Sequence, residues 1–412
     1  MSTRYPWGAS VGRRLLLVSL VLVSLAGAPA SGAAPGATAT PAAATGSAAG
    51  VTEPFRWEGP TATARLGEPA VFQAAWSGPA PVRVELLRRL RPDDPWEVRV
   101  AGSAMTEDGG RAQLTDPSHT LPNTTWRFRF RALLPDGSRV ESPEATVTVA
   151  DERFAWRTLT DTGISLHWTE GDDAFARQAL EDGVAAVAAA RELFGGGEIG
   201  LVDLFVYADE EAFYAALGPG TRENVGGQAN DETRTMYALI EPAQVGSPWV
   251  RIVVAHELTH LVFAEVTRNP WSAPPRWLNE GIAVWLTEGY TSEDRARVES
   301  AARAGTLIPL SGLAGYFPTT PSRFSLAYAT SASAIDHLVA RWGREGLAAV
   351  VRAYGAGLGD DAAFRSGLGI GIAEFEAGWL AAIGGREREP AGPLPAPVGP
   401  LPPGWRADGP VS

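Results

Sequence analysis

Two histidines and a glutamate stand close together in the segment VVAHELTHLV, residues 253–262. His256 and His260 are four positions apart, so on a helix they share one face and both imidazoles can reach the same ion. Glu257 follows the first histidine directly, where its carboxylate can take a proton from water beside the ion. The chain has no cysteine, so a metal here must be held by histidine and carboxylate.

The flanking residues predict that this motif lies in a buried helix. Ser247 can cap the first turn, and Pro248 suits the first helical position, where its missing N–H costs nothing. Asn269-Pro270 stops the helix after about Thr267. Apolar residues surround the motif on nearly all sides, so its three polar groups need a reason to be buried. The alternative is a chance HExxH in an ordinary core helix.

A third metal ligand is available in PPRWLNEGIAVWLTEG, residues 274–289. A helix can begin at Pro275, and Glu280 falls near the apolar stripe of that helix rather than on its polar face. The short Pro-rich connection makes the two helices neighbours. Because a catalytic zinc takes three protein ligands and keeps one position open, the sequence predicts one Zn²⁺ per chain on His256, His260 and Glu280. The alternative for Glu280 alone is a surface carboxylate.

HELTH followed about twenty residues later by NEGIA resembles the gluzincin metallopeptidases, specifically the bacterial peptidase MA-like domain. It is also similar to the aminopeptidases that carry HExxH and an Asn-Glu-Gly-x-Ala ligand helix. The resemblance covers roughly residues 155–385. Thermolysin-type enzymes carry an aspartate four residues after the ligand glutamate, where this chain has Val284, so the Asn-Glu-Gly-x-Ala group is the closer match.

The resemblance implies a zincin fold and peptide-bond hydrolysis. A small mixed sheet would cover the active-site helix, a helical subdomain would follow, and the substrate would lie in the cleft between them. Glu257 would act as the general base for the attacking water. Tyr328, in SRFSLAYATSASAIDHLVARWG, matches the family's oxyanion-stabilising tyrosine, with packing at a helix interface as the alternative. Asn279 could orient a ligand histidine by a hydrogen bond.

The resemblance also implies an edge strand that pairs with an extended substrate. TMYALI, residues 235–240, stands in the corresponding place, with GGQAN near it. Met236, Tyr237 and Ala238 are therefore predicted to bind substrate, and the alternative is a plain structural strand. The amine-binding GxMEN motif of aminopeptidases is not visible, which favours an endopeptidase.

The two ends of the chain differ in composition from its middle. Arg13 and Arg14 precede the apolar run LLLVSLVLVSLAGA, so residues 1–30 are predicted to be a signal peptide, with an uncleaved membrane anchor as the alternative. Residues 31–52 are rich in Ala, Pro, Thr and Gly and are predicted to be a flexible linker. Residues 386–412 are Pro-rich and are predicted to be a disordered tail.

Between these ends the sequence predicts two domains. Residues 53–150 alternate apolar and polar side chains between turn signals, which indicates an antiparallel β-sandwich of immunoglobulin or fibronectin type III architecture. Residues 151–385 combine a hairpin, a long helix ending at Gly195, further strands and then mostly helices, as in a zincin-like metallopeptidase domain. The predicted fold class is therefore multidomain, with a β-sandwich followed by an α/β plus helical domain.

The net charge of −12 argues against a nucleic-acid partner, because phosphate binding needs a basic surface. The sequence predicts a secreted or extracytoplasmic zinc metallopeptidase that acts on a peptide or protein, with a β-sandwich that could contact the cell envelope. One alternative is a cell-surface binding protein that has a zincin fold and a metal but little or no turnover. Another is a structural component held in the envelope by an uncleaved anchor.

Overall fold

The computed structural model describes residues 54–106, 109–196, 200–218 and 226–386, together with the backbone of 405–406 and 409–410. The predicted signal peptide and linker lie outside the described residues, as does most of the predicted tail. The described residues divide into two compact units, and the chain passes from one to the other between Ala155 and Trp156. The short stretch that begins at Tyr214 groups with the first unit.

The described part of the first unit forms two antiparallel β-sheets. Its strands are β1 (Arg56–Thr63), β2 (Ala70–Ser77), β3 (Arg83–Arg89), β4 (Glu97–Val100), β5 (Gly102–Thr106), β6 (Gly109–Asp116), β7 (Thr125–Leu133), β8 (Arg139–Glu141) and β9 (Ala145–Thr148). One sheet has the order β1-β2-β6-β5, and the other has the order β4-β3-β7-β8 with β9 also paired to β7. The predicted antiparallel strands are confirmed, whereas the immunoglobulin or fibronectin type stays a prediction.

Aromatic residues from both sheets share one core. Phe72 and Trp76 of β2 and Phe128 and Phe130 of β7 are buried in the same cluster. The rings of Phe72 and Phe128 meet edge to face, with their centroids 5.1 Å apart. The alternation along β7 explains this packing, because successive side chains of a strand point to opposite faces of its sheet.

The second unit contains a mixed five-stranded sheet. Its strands are β10 (Arg157–Asp161), β11 (Ile164–Trp168), β12 (Val202–Tyr207), β13 (Gly227–Asn230) and β14 (Thr235–Leu239), in the order β10-β11-β12-β14-β13. Strands β11, β12 and β14 are parallel, whereas β10 and β13 run antiparallel to their neighbours. This arrangement gives the sheet one edge at β13.

The prediction that residues 235–240 form the edge strand is wrong. They contain β14, which pairs with β12 on one side and with β13 on the other. The GGQAN segment folds back as β13 and takes up the hydrogen bonds that β14 would otherwise leave open. Met236, Tyr237 and Ala238 are fully buried. The strand at the edge of the sheet is β13.

Helices make up the rest of the second unit, apart from two short 3₁₀ turns at Pro242–Gln244 and Leu310–Leu313. They are α1 (Asp173–Phe194), α2 (Glu210–Leu217), which runs into the stretch grouped with the first unit, α3 (Pro248–Thr267), α4 (Arg276–Thr287), α5 (Ser292–Arg303), α6 (Pro321–Gly355), α7 (Asp360–Leu368) and α8 (Ile372–Ala382). Helix α1 ends at Gly195, as predicted, because that residue adopts the left-handed conformation that ends many helices. The tail contributes one short antiparallel pair, Trp405–Arg406 with Gly409–Pro410. Over the described ranges, none of the helices combines the length and the apolar character needed to cross a membrane.

Candidate metal centre

Helix α3 carries the HExxH motif through the interior of the second unit. The Ser247 hydroxyl accepts a hydrogen bond from the Val250 N–H at 3.3 Å, and Pro248 occupies the first turn, as predicted. Burial continues around the helix at the motif, where His256, Glu257 and His260 are each at most 2% exposed. The apolar sequence around the motif therefore places three titratable side chains in the protein core.

Helix α4 brings Glu280 to the histidines because it packs closely against α6. A Cβ atom on Gly281 would lie 2.7 Å from the backbone oxygen of Ser331, closer than real Cβ atoms come to such an oxygen. Only glycine therefore allows the two helices to approach to this distance. The neighbouring Glu280 is fully buried as a result.

The connection between α3 and α4 is fixed by Asn269. The two N–H groups of its amide nitrogen share three acceptors, the carbonyl oxygens of Thr267, Ser272 and Tyr354, at 2.9–3.0 Å. Its amide oxygen accepts from the backbone N–H groups of Trp271 and Ser272 at 2.8 and 2.9 Å. One side chain thus ties the end of α3 to the loop and to the end of α6.

Three ligand atoms converge between α3 and α4. Oε2 of Glu280 lies 3.4 Å from Nε2 of His256 and 3.4 Å from Nε2 of His260. One ligand atom from each of the three residues lies within 4.8 Å of the others. These three atoms have no hydrogen-bond partner among the described residues, although leaving buried polar atoms unpaired is costly. Two imidazole nitrogens and one carboxylate oxygen are a donor set that zinc takes in catalytic sites, so the residues fit this ion.

Nearby charged groups shift the pKa values of Glu280 and His260. Burial alone would raise the pKa of Glu280, but His260, His256 and Arg276 outweigh it and hold that pKa well below its usual range. Burial lowers the pKa of His260, whereas Glu280 and Glu257 raise it, and the net pKa lies above the ordinary value. A lowered pKa favours the ionised carboxylate, which is the form that binds a metal.

The side chain of Glu257 extends from α3 to the edge strand β13. Its Oε2 atom accepts a hydrogen bond from the backbone N–H of Ala229 at 3.1 Å. A Cβ atom on Gly227 would lie 2.9 Å from Cγ of Glu257 and 2.8 Å from Cγ1 of Val253, so glycine is needed for the strand to lie this close to the helix. The Ala229 N–H therefore bonds the carboxylate of α3 and lies on the side of β13 that does not pair with β14.

Asn279 and Tyr328 both lie near the histidines. Oδ1 of Asn279 is 2.8 Å from Nδ1 of His260. The amide oxygen there accepts a hydrogen bond from the Nδ1–H group, and in the neutral imidazole this leaves the lone pair on Nε2, the atom that faces Glu280. The Tyr328 ring centroid is 6.4 Å from that of His256, and the side chain is buried against Phe317 and Phe324.

Sequence reasoning missed Arg276. Its Nη2 atom donates to Oε1 of Glu280 at 2.9 Å, and its Cζ atom lies 5.2 Å from the ring centroid of Phe317. Burial lowers the pKa of Arg276, but Glu280 and Tyr328 raise it, so the net pKa lies above the ordinary value. The four-residue spacing between Arg276 and Glu280 on a helix was the available signal.

The structure does not bring all the predicted residues together. Met236, Tyr237 and Ala238 lie inside the sheet, and their strand pairs on both sides. The strand that contacts Glu257 is β13, through Gly227 and Ala229.

Comparison with known proteins agrees with the resemblance drawn from the two motifs. Residues 183–385 match the family model described as the Peptidase MA superfamily, so the predicted relationship is confirmed. Aminopeptidase M1-A of Oryza sativa subsp. japonica is 26% identical over 166 residues, which cover 39% of this chain and 18% of that protein. The chain thus spans less than a fifth of the length of this relative.

Similar solved structures include two bacterial proteins. One is an aminopeptidase N family protein from Idiomarina loihiensis, 10% identical with a TM-score of 0.38, over 70% of this chain and 68% of that one. The other is an M1 zinc metallopeptidase from Deinococcus radiodurans, 14% identical with a TM-score of 0.37, over 84% of this chain and 96% of that one. TM-scores at this level describe only a partial overlap of the chain traces.

Proposed function

Residues 183–385 belong to the Peptidase MA superfamily, and from this premise we propose that the chain is a zinc metallopeptidase that hydrolyses peptide bonds. The observation that carries the proposal is the convergence of His256, His260 and Glu280, whose ligand atoms lie within 4.8 Å of one another in the core. These residues would hold one Zn²⁺ per chain. Zinc bound in this way supplies Lewis-acid activation of water and of a substrate carbonyl.

Glu257 is proposed as the general base. It takes a proton from the attacking water and later delivers that proton to the leaving amine. The Ala229 N–H holds Oε2 of this carboxylate at 3.1 Å, which fixes the direction in which the other oxygen points. A base whose position is set before the substrate arrives loses little rate to misorientation.

Tyr328 is proposed to stabilise the oxyanion through its hydroxyl, a contribution of about 3 kcal/mol in comparable sites. Phe317 and Phe324 support this role because they pack around the tyrosine ring, with centroids 5.1 and 4.8 Å from it. Asn279 is proposed to hold His260 through Nδ1, so that Nε2 serves as the ligand atom.

The substrate is proposed to be an extended segment of a peptide or protein that pairs with β13. β13 is the outer strand of the sheet, and such a strand offers backbone N–H and C=O groups for pairing. Because the Ala229 N–H is bonded to Glu257, the substrate would use the other outward backbone groups of the strand. Gly227 and Ala229 carry no acidic side chain that could bind a free amino terminus. This absence on the strand favours an endopeptidase over an aminopeptidase.

Export of the protein is also proposed, on the basis of the Arg13-Arg14 pair, the apolar run and the small residues within positions 1–30. In this proposal the β unit contacts the substrate or the cell envelope. Cell fractionation and sequencing of the mature amino terminus test it. A protein that stays in the cytoplasm with its first thirty residues intact would contradict export.

The enzymatic proposal is tested with the full chain. We expect one zinc per chain by elemental analysis, together with hydrolysis of casein or of an internally quenched peptide. Chelation and the substitutions His260→Ala and Glu257→Ala should each abolish the hydrolysis, whereas His167→Ala, a histidine of β11, serves as the control. Activity that survives chelation or Glu257→Ala contradicts the mechanism. Bound zinc with no hydrolysis of a broad peptide library would favour the alternative of a metal-bearing binding protein.

A further inference from the structure

Arg276 lies one helical turn before Glu280 at the start of α4. Its side chain is only 16% exposed, and its Nη2 atom donates to Oε1 of Glu280 at 2.9 Å. Burying a guanidinium is costly unless its charge and its N–H groups are satisfied. The pair therefore differs from exposed helix pairs such as Arg303 with Glu299, whose side chains are 66% and 39% exposed.

The two carboxylate oxygens of Glu280 face different partners. Oε1 accepts from Arg276, whereas Oε2 lies 3.4 Å from Nε2 of His256 and of His260. We propose that Arg276 is a positioning residue that holds Oε1 of Glu280 and so presents the carboxylate to the metal through Oε2 alone. This inference rests on the proposed metal centre and adds the residue that sets how its carboxylate ligand binds.

The number of ligating oxygens matters for the chemistry of the site. A carboxylate can bind a metal through one oxygen or through both. One oxygen and two imidazoles would supply three protein ligands to a bound zinc with room left for water, whereas a second oxygen would take up part of that room. Arginine suits the task because its planar guanidinium holds its N–H groups in a fixed geometry.

Arg276 is itself restrained at both ends. Its backbone N–H donates to the Ala314 carbonyl at 2.7 Å. Its guanidinium lies over Phe317, and the Phe317 ring in turn meets the Tyr328 ring edge to face at 5.1 Å. A side chain that orients a ligand has to be fixed by its own surroundings, and these contacts supply that condition.

Zinc affinity of the full chain tests the proposal, measured by competition with a chromophoric chelator. We expect Arg276→Met to bind Zn²⁺ about 10- to 100-fold more weakly than the wild type. Arg276→Lys keeps a charge and a donor, so its loss should be smaller. Arg303→Met removes the exposed pair on α5 and serves as the matched control, with unchanged affinity.

Substitution with Co²⁺ gives a second readout that does not depend on turnover. Visible absorption should be intense for the four-coordinate wild-type site and weaker for Arg276→Met, in which both oxygens of Glu280 can bind. Wild-type affinity and a wild-type cobalt spectrum in Arg276→Met overturn this inference. If that variant does not fold, as judged by circular dichroism, the same two outcomes in Arg276→Ala, which also lacks the donor, decide. A wild-type chain that binds no zinc overturns the proposed function instead.

Discussion

The carboxylate of Glu257 is hydrogen bonded to the backbone N–H of Ala229, at 3.1 Å, on the edge strand of the sheet. Helix α3 supplies the carboxylate, and β13 supplies the group that holds it. The position of the candidate base therefore depends on how closely the strand approaches the helix. Changes in β13 should alter catalysis even though none of its side chains is a metal ligand.

Gly227→Ala tests this dependence. The added Cβ would lie within 2.9 Å of Glu257 and Val253, so strand and helix must move apart. A shift of this order in a catalytic group costs about 100-fold in rate. We expect kcat for peptide hydrolysis to fall by about that factor while zinc content stays at one per chain.

Gly102→Ala is the matched control, because the added Cβ would meet only the Gln113 backbone oxygen at an ordinary 3.5 Å in the first unit. Its kcat should equal that of the wild type. Full activity of Gly227→Ala would show that the strand does not position Glu257.

Tyr328→Phe tests the oxyanion donor. The phenylalanine ring can keep the packing against Phe317 and Phe324, so the variant should fold and hold one zinc per chain. Loss of the hydroxyl should lower kcat by about 100- to 1000-fold with little effect on KM, because the bond forms only in the transition state. Steady-state kinetics separate the two constants. A large rise in KM at unchanged kcat would assign the hydroxyl to substrate binding instead.

Gly281→Ala should disturb the metal centre from a distance. Its Cβ would press against the Ser331 backbone, 2.7 Å away, and force α4 away from α6. Overpacking of this kind costs about 1–3 kcal/mol of the free energy of unfolding. Because Glu280 moves with α4, zinc affinity should fall as well, which chelator competition measures. Loss of stability with unchanged zinc affinity would mean that Glu280 does not depend on this helix contact.

A buried ion pair in the β unit predicts sensitivity to acid. Arg88 donates to Asp116 at 2.5 Å, and both side chains are at most 6% exposed. Burial raises the pKa of Asp116, but hydrogen bonds from Ser118 and Arg88 outweigh it and hold the pKa below its ordinary value. The pair therefore contributes its full stability above the unfolded-state pKa, and this contribution is lost as the pH falls through the folded-state pKa.

Asp116→Asn should accordingly destabilise the β unit by about 2 kcal/mol at neutral pH, with Glu97 still paired to Arg88. The difference from the wild type should shrink below about pH 4, where the carboxylate of the unfolded wild-type chain begins to take up its proton. Chemical denaturation across this pH range measures it. Glu299→Gln, in an exposed pair, should change stability by less than about 1 kcal/mol. If Asp116→Asn lowers the free energy of unfolding equally at neutral and acid pH, the ionised Asp116 is not the source of the acid sensitivity.

Local signals in the sequence were enough for the helices of the metal centre. Helix α3 begins after Ser247, at Pro248, and ends at Thr267, as expected. Capping and proline geometry act over only a few residues, so they can be read from the sequence. Glu280 was recognisable because a carboxylate near an apolar stripe is unusual. These patterns report short-range preferences, which the folded chain keeps.

The edge of the sheet and Arg276 were not predictable in the same way. Strand β13 has only four residues and begins with glycine, which has a low preference for strands, so its pairing with β14 arises from tertiary structure. Arginine is usually a surface residue, so nothing in its residue type indicated that Arg276 would be buried. Its burial depends on Phe317 and Tyr328, which are distant in sequence. Strand order and side-chain burial are properties of the assembled fold.

The hydrogen bonds of Asn269 fix the positions of the two helices that carry the candidate metal ligands. They close the loop between α3 and α4 and fasten it to the end of α6 through the Tyr354 carbonyl. The conformational entropy of bringing the ligand helices together is thus lost when the chain folds, not when an ion arrives. We therefore expect the ligand residues to keep their positions when the ion is removed. Dialysis against a chelator and then against zinc should return activity without a refolding step.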